Sequence, residues 1–476
     1  MRFFCVCILW LAALLGLPAQ AQLLRQHVYG TTGEESYGLL TPVRGGGYLL
    51  VGDHQPRPSS NFNERLYLVR VNSQGDTLWT RRQRLGFNGI NVSGVCENAA
   101  GQILVAISGA NTNAVPIDDA AMLVLFNAQG DTLWTRKTGG PTIDGYTGLV
   151  LGHDGNFVLT GSLGTFPQWL KVSAAGQVLA RTTINYDAGD VGYLSGLFKD
   201  ASSRGGYWVE NATGGTAAGA RKLLHLTEAG VVDQTKPLYG RSYDNLQSVA
   251  SLPNNGGYVA CEGSTGRLVR FTPALDTLWT RQLRFDNGTV RGFASARQVQ
   301  PLPDGTLVVA GQFFFSGGGR VYLAKLSAAG QTLRDTVLFR GAGTETVAGL
   351  AVEPGTNRYV FSGYTTSGPR GGADLFLGIH ADWRVLSTRP ARERPAALAA
   401  WPNPLPAGRH ELVLRPGRPL RGHLALHDAA GRLVRQWPAP PAAEQRLSLA
   451  GVPPGLYLLT ATDATGLRYV ARVLRE

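Results

Sequence analysis

The chain has 476 residues, 43% of them hydrophobic, with 62 Gly, 26 Pro and a formal net charge of +12. That apolar content excludes a disordered chain, and the length exceeds one ordinary domain. The charge is uneven: residues 391–476 carry twelve Arg, no Lys and six acids, so the longer body is only mildly basic and nucleic-acid binding gains no support.

In chain order, the first segment reads MRFFCVCILWLAALLGLPAQAQ. Arg2 gives a charged start, residues 3–17 an apolar stretch, and Ala19-Gln20-Ala21 a small-x-small cleavage site, which is the pattern of a secretory signal peptide over residues 1–21. As a membrane helix the stretch is short for a ~20-residue span. No comparable apolar run follows, so the expected mature chain begins at Gln22 and has no transmembrane segment. Cys5 and Cys7 leave with the signal. Cys96 and Cys261 remain, each inside an apolar run, and are read as buried free thiols rather than a disulfide. No CxxC occurs, which excludes a zinc ribbon or thioredoxin-type site.

A heptad organises the body. GDTLWTR stands at residues 75–81 and again at 130–136, and LDTLWTR at 275–281. Equivalent anchors fall at Gly75, Gly130, Gly176, Gly230, Leu275, Gly330 and near Asp382, with spacings of 55, 46, 54, 45, 55 and about 52 residues. A period of this length signals a solenoid or propeller. Each unit holds three short β-branched and aromatic runs separated by polar or Gly turns, and the heptad supplies a fourth. Four antiparallel strands per unit predict an all-β, seven-bladed β-propeller over residues 22–388, with six or eight blades as alternative counts because the ends are ambiguous. Residues 23–29 resemble a fourth strand with no preceding three, and are expected to complete the last blade and close the ring. Residues 22–390 resemble secreted bacterial propeller-repeat proteins, including those with PQQ-like repeats. Nothing matches a quinone-cofactor site, so no cofactor is expected.

Within the heptad, strand alternation places Leu78 and Thr80 on one face and Thr77, Trp79 and Arg81 on the other. The Trp is expected to cover the seam to the next blade, with the Arg stem beside it. A Gly in the left-handed region suits the preceding turn, so Leu275 is expected to force a different turn, begun by Pro273.

Propeller ligands meet the loops that lead from one blade's outer strand to the next blade's inner strand. Here those loops pair acids with aromatics: Glu35 and Tyr37, Asp144 and Tyr146, Asp187, Asp190 and Tyr193, Tyr243 and Asp244, Asp286 and Phe293. Such a ring could stack a sugar and accept its hydroxyl hydrogens, or hold a cation. The same residue types also cap strands and form ordinary turns, and both readings stand at this point. No EF-hand loop, HExxH or GxSxG occurs, so neither a metal site nor a catalytic group is expected, and His153-Asp154 reads as a hairpin turn.

Residues 389–396 form an Ala-, Pro- and Arg-rich linker, and residues 397–476 follow with about seven short alternating strands. This pattern predicts a small immunoglobulin-like β-sandwich. Its order of pieces is distinctive: Pro402-Asn403-Pro404, then HDAAGRLV with Asp428 and Gly431, then LAGVPPGLYLL with Gly455 and Tyr457, then a basic apolar end. This order resembles the type A C-terminal sorting domain of the bacterial type IX secretion system, although Arg472, Arg475 and Glu476 replace the usual Lys-rich ending. The resemblance implies passage through the periplasm, recognition of the tail by a sorting receptor of the secretion machinery, and delivery outside the cell or onto its surface. The expected cargo is a non-enzymatic propeller that binds a glycan or protein. The alternative is a polysaccharide hydrolase or lyase with carboxylates at the channel mouth.

Overall fold

The computed structural model describes residues 23–381 and 396–476, apart from 57–63, 112–117, 138–144, 164–165, 185–191, 214–220, 239–245, 264–265, 287–290, 316–317, 339–342, 354–355, 357, 367, 370–371, 416–419, 429–431, 440–443 and 464–467. The chain divides into two compact units, Met1–Trp383 and Arg384–Glu476. The expected signal peptide lies outside the described residues, as does the anchor near Asp382. Among the described residues, no helix is long and apolar enough to cross a membrane.

The first unit is an all-β propeller, with seven antiparallel sheets among its described residues. Blade 1 pairs Glu34–Pro42, Tyr48–Gln55, Arg65–Val71 and Thr77–Arg84 in that order, from the innermost strand outward. Blades 2 to 6 follow in sequence at residues 89–137, 145–183, 192–238, 246–282 and 284–338. Blade 7 takes three strands from residues 345–381, and its outermost strand is Leu23–Tyr29, paired antiparallel with Asp374–Ala381. The N-terminal strand therefore joins the last blade, as the unmatched run at residues 23–29 suggested. Blade 6 has a fifth strand, Arg284–Asp286, which folds back on Arg291–Pro301.

Neighbouring blades cover both faces of each sheet, which explains the strand compositions. Strand Tyr48–Gln55 is buried from Tyr48 through His54, whereas the outer strand Thr77–Arg84 alternates between exposed and half-buried residues. The cores lie between blades. Leu49, Val51 and Leu68 of blade 1 pack with Val92, Val105 and Val124 of blade 2. On its other face, Leu50, Tyr67 and Val69 pack with Val360, Leu375 and Leu377 of blade 7. The ring is thus closed by packing as well as by the shared strand. Cys96 and Cys261 are buried and free, and burial raises both thiols.

The heptad is a blade-to-blade clasp. In the turn before it, Asn72 Oδ1 accepts the Gln74 and Asp76 amides, and Gly75 sits at φ 89°. Asn127 and Gly130 repeat the arrangement one blade later. The Trp79 ring lies against Gly130, where an added Cβ would come within 2.7 Å of it, and Arg81 spans the ring and donates to the Gln129 carbonyl at 3.0 Å. Trp134 and Trp279 donate their indole N–H to Ala174 and Ala328 of the following blades, at 3.0 and 3.1 Å.

Blades 3 and 4 lack the tryptophan, and each fills the space in another way. Ala180 stands in the Trp position of blade 3, and Trp169 from the neighbouring strand fills the space over Gly230 instead. Blade 4 has Gln234 in that position, and the next anchor is Leu275. Contrary to the sequence-based expectation, Leu275 keeps the common turn: its amide bonds the Thr272 carbonyl at 2.9 Å and its φ is 67°. Left-handed backbone costs a non-glycine residue about 1–2 kcal/mol. The Leu275 side chain is buried in one core cluster with Trp208 and Leu223 of blade 4. Burial offsets the backbone strain.

The second unit is a β-sandwich with eight strands among its described residues. A five-stranded sheet is ordered Ala396–Ala397, Arg468–Arg475, Gly455–Asp463, Leu420–His427 and Leu433–Pro438. It faces a three-stranded sheet of Ala399–Trp401, Glu411–Arg415 and Gln445–Ser448. Leu412, Leu414 and Leu447 from the smaller sheet pack with Leu424, Leu426, Leu459 and Val473 from the larger. Strand Ala396–Ala397 begins on the last residue read as linker and runs parallel to the last strand.

Candidate functional site

The inner strands set the shape of the propeller mouth. In all seven blades the pairing of the first and second strands slips at the same level: between Ser36 and Leu39, Val92 and Gly94, Tyr146 and Gly148, Ser195 and Phe198, Leu246 and Ser248, Ala296 and Gln298, and Val347 and Gly349. A bulge adds an unpaired residue and re-aims side chains. Several bulges carry glycine because adjacent inner strands nearly touch there. A Cβ on Gly94 would lie 2.6 Å from Leu149, and one on Gly148 2.5 Å from Leu197.

Blades 1 to 3 line an open cavity of about 700 Å³ at this level. Blade 1 contributes Ser36, Tyr37, Asp53, Gln55 and Glu64; blade 2 contributes Ile90, Asn91 and Ser108; blade 3 contributes Tyr146, Thr147 and Ser162. Tyr37 occupies the blade 1 bulge at φ 69°, and its hydroxyl donates to Asn91 Oδ1. A tyrosine in the left-handed region is an outlier that the surroundings must hold in place. Asp53 Oδ1 accepts the amide and hydroxyl of Ser36, and Glu64 Oε2 accepts the Ile90 amide at 2.6 Å. Burial pushes Asp53 above the usual carboxylate range despite the bonds from Ser36. Burial also raises Glu64, and the Asp53 charge raises it further. Oxygen and amide groups around such a cavity can accept and donate to several hydroxyls of a sugar while a tyrosine ring covers one face.

Of the residues singled out from the sequence, Tyr37 and Tyr146 line this cavity, although Tyr146 itself is buried. Glu35 is not an open acceptor. It is fully buried and accepts bonds from Thr31 and from His54 Nδ1 at 2.7 Å. Burial alone would raise its carboxyl, but the His54 and Thr31 hydrogen bonds outweigh that and hold it below the ordinary range. The cause is strand alternation, which turns Glu35 and His54 away from the cavity while Ser36 and Asp53 face it. Asp286 is exposed on the extra strand of blade 6, and Phe293 beside it is exposed with the Arg284 guanidinium 4.8 Å from its ring centroid. Asp144, Asp187, Asp190, Tyr243 and Asp244 lie outside the described residues, and Tyr193 is described only as part of strand Gly192–Lys199.

Sequence reasoning missed Ser36, Asp53, Gln55, Glu64 and Asn91. The available signal was Asp53-His54-Gln55, where a polar run interrupts an otherwise apolar central strand. Across the ring, two acids at the same level are matched internally. Buried Glu210 pairs with Arg221 at 2.5 Å and accepts the Ser195 hydroxyl and the Leu246 amide, and buried Glu262 pairs with Arg267 at 2.8 Å.

In the second unit, the distinctive pieces converge. Asn403 donates to the Arg472 carbonyl at 2.6 Å and accepts the Leu474 amide at 2.9 Å. Leu405 and Glu476 complete a two-way backbone link with the chain end. The Arg475 guanidinium reaches the carbonyls of Leu449 and Val452, and the Tyr457 hydroxyl donates to the Pro453 carbonyl at 2.7 Å. Asp428 closes its turn by accepting the Arg432 amide at 2.9 Å, while Gly431 lies outside the described residues.

No family model and no curated protein sequence matches the chain. Solved structures that it is similar to include the WD40 domain of Neurospora crassa Pan2, at 11% identity and TM-score 0.47, covering 77% of this chain and 97% of that one. Another is a protein of unknown function from Dyadobacter fermentans, at 10% identity and TM-score 0.46, covering 77% and 100%. A third is the β-propeller domain of the trilobed protease from Pyrococcus furiosus, at 10% identity and TM-score 0.38, covering 72% and 94%.

Proposed function

We propose that the chain is an exported, non-enzymatic β-propeller that binds a glycan in the cavity between blades 1 and 3. On this reading its tail, residues 397–476, addresses it to the type IX secretion machinery through a sorting receptor. The cavity carries the binding reading: about 700 Å³, lined by hydroxyls, amides and two carboxylates, with Tyr37 at its edge. A glycan array probed with the intact mature chain tests it. Selective binding that is lost in both Tyr37→Ala and Asn91→Ala, with unchanged melting temperature, is expected. Absence of any glycan bound would remove the reading.

The sorting reading rests on the order of the tail motifs. It is supported by the way Asn403, Tyr457 and Arg475 tie those motifs to one another and to the last strand. Exposed Leu456, Leu458 and Leu474, with Arg472 across from Leu458, offer an apolar and basic face to a receptor. Deletion of residues 397–476 should leave the protein in the periplasm. Surface delivery of the truncated chain would refute the assignment.

One observation favours a second reading, a glycoside hydrolase or lyase. Asp53 and Glu64 are two carboxylates in one cavity, both raised. Turnover of a chromogenic glycoside, abolished in Glu64→Gln, would establish it in place of the binding-only function.

A further inference from the structure

We propose that the cavity between blades 1 and 3 selects a glycan carrying a free, protonated amine, with Asp53 and Glu64 as the counter-charges of the ammonium group. This narrows the glycan-binding reading above and rests on it.

His54 pairs with Arg65 across blade 1, so alternation turns both to one side and sends Asp53, Gln55 and Glu64 to the other, where all three line the cavity. Both carboxylates are fixed by neutral donors: Asp53 by the amide and hydroxyl of Ser36, Glu64 by the Ile90 amide. Among the described residues neither makes an ion pair, and no Lys, Arg or His is among those lining the cavity.

Other acids of the mouth are paired differently. Glu35 has His54, Glu210 has Arg221 and Glu262 has Arg267, each pair within 2.8 Å. Removing carboxylates from water without a cation is costly, and at these three acids the chain meets that cost with a basic side chain. Burial raises Asp53 and Glu64, the direction expected of acids with no cation beside them among the described residues. An ammonium group entering the cavity would supply it through charge-assisted hydrogen bonds. Ser36, Asn91 and Thr147 would then meet the ring hydroxyls.

The test measures binding of the intact mature chain to three β-1,4-linked oligosaccharides of equal length at pH 7: the free-amine glucosamine oligomer, its fully N-acetylated form, and the glucose oligomer. The free-amine oligomer should bind at least about tenfold more tightly than the other two. That preference should disappear in Glu64→Gln and in Asp53→Asn, each verified as folded by melting temperature. Equal affinity for all three would overturn the amine assignment and leave the glycan reading intact. Failure of these three and of every arrayed glycan to bind would overturn both. Calcium binding that expels the free-amine oligomer without any sugar preference would replace the amine with a metal ion, and so also overturn the assignment.

Discussion

The ring of Trp79 lies against Gly130 of the next blade, closely enough that a single methyl group at position 130 would collide with it. Gly130→Ala should therefore destabilise the propeller by about 3 kcal/mol, combining left-handed strain with overpacking. Urea unfolding measures this. In a double-mutant cycle, Trp79→Ala should recover part of the loss, and strict additivity would show that the two residues do not act together.

The Gln234 and Leu275 pair makes a sharper case. Leu275→Gly relieves the φ of 67° but empties a buried site, so a net loss of about 2 kcal/mol is expected. Adding Gln234→Trp rebuilds the seat in the form used at Gly130, and should restore most of that stability. A double variant no more stable than Leu275→Gly alone would refute the compensation.

Asp53 and Glu35 should respond oppositely to pH. Asp53 is raised in the folded state, so its ionisation costs stability as pH rises from its unfolded value through the raised one. Asp53→Asn should accordingly be more stable than the parent at pH 7, with the gain vanishing below about pH 4. Glu35 is lowered, so its contribution is present above its unfolded value and is lost as pH falls through the folded one. Glu35→Gln should be less stable at pH 7 and nearly neutral in strong acid. Thermal melts across that range check both signs.

Asn403→Ala removes two bonds to the backbone of the last strand, at a cost of about 1–3 kcal/mol. If the tail is an address, export should fall with it and the protein should collect in the periplasm. Fractionation with normal surface levels would show that Asn403 is structural alone.

Much of the architecture was legible because its cause is local and repeated. The spacing of Gly75, Gly130 and their counterparts counted the units, and Trp79 with Arg81 announced a seam. Leu275 was misread because its support comes from blade 4, which no local rule reports. The site was hidden for a related reason. A bulge is a property of pairing register, so nothing marked Tyr37 as the extra residue of its strand. Glu35 looked available because its partner His54 stands on the next strand. Asp53, near the end of its strand, and Glu64, just before the next, stand apart from the blade-connecting loops where acids pair with aromatics.

The most direct test of the binding claim is a crystal structure of the mature chain with its strongest array ligand. A sugar ring is expected between blades 1 and 3, within hydrogen-bond distance of Asp53 and Asn91. A ligand bound elsewhere on the propeller, with that cavity filled only by solvent, would contradict it.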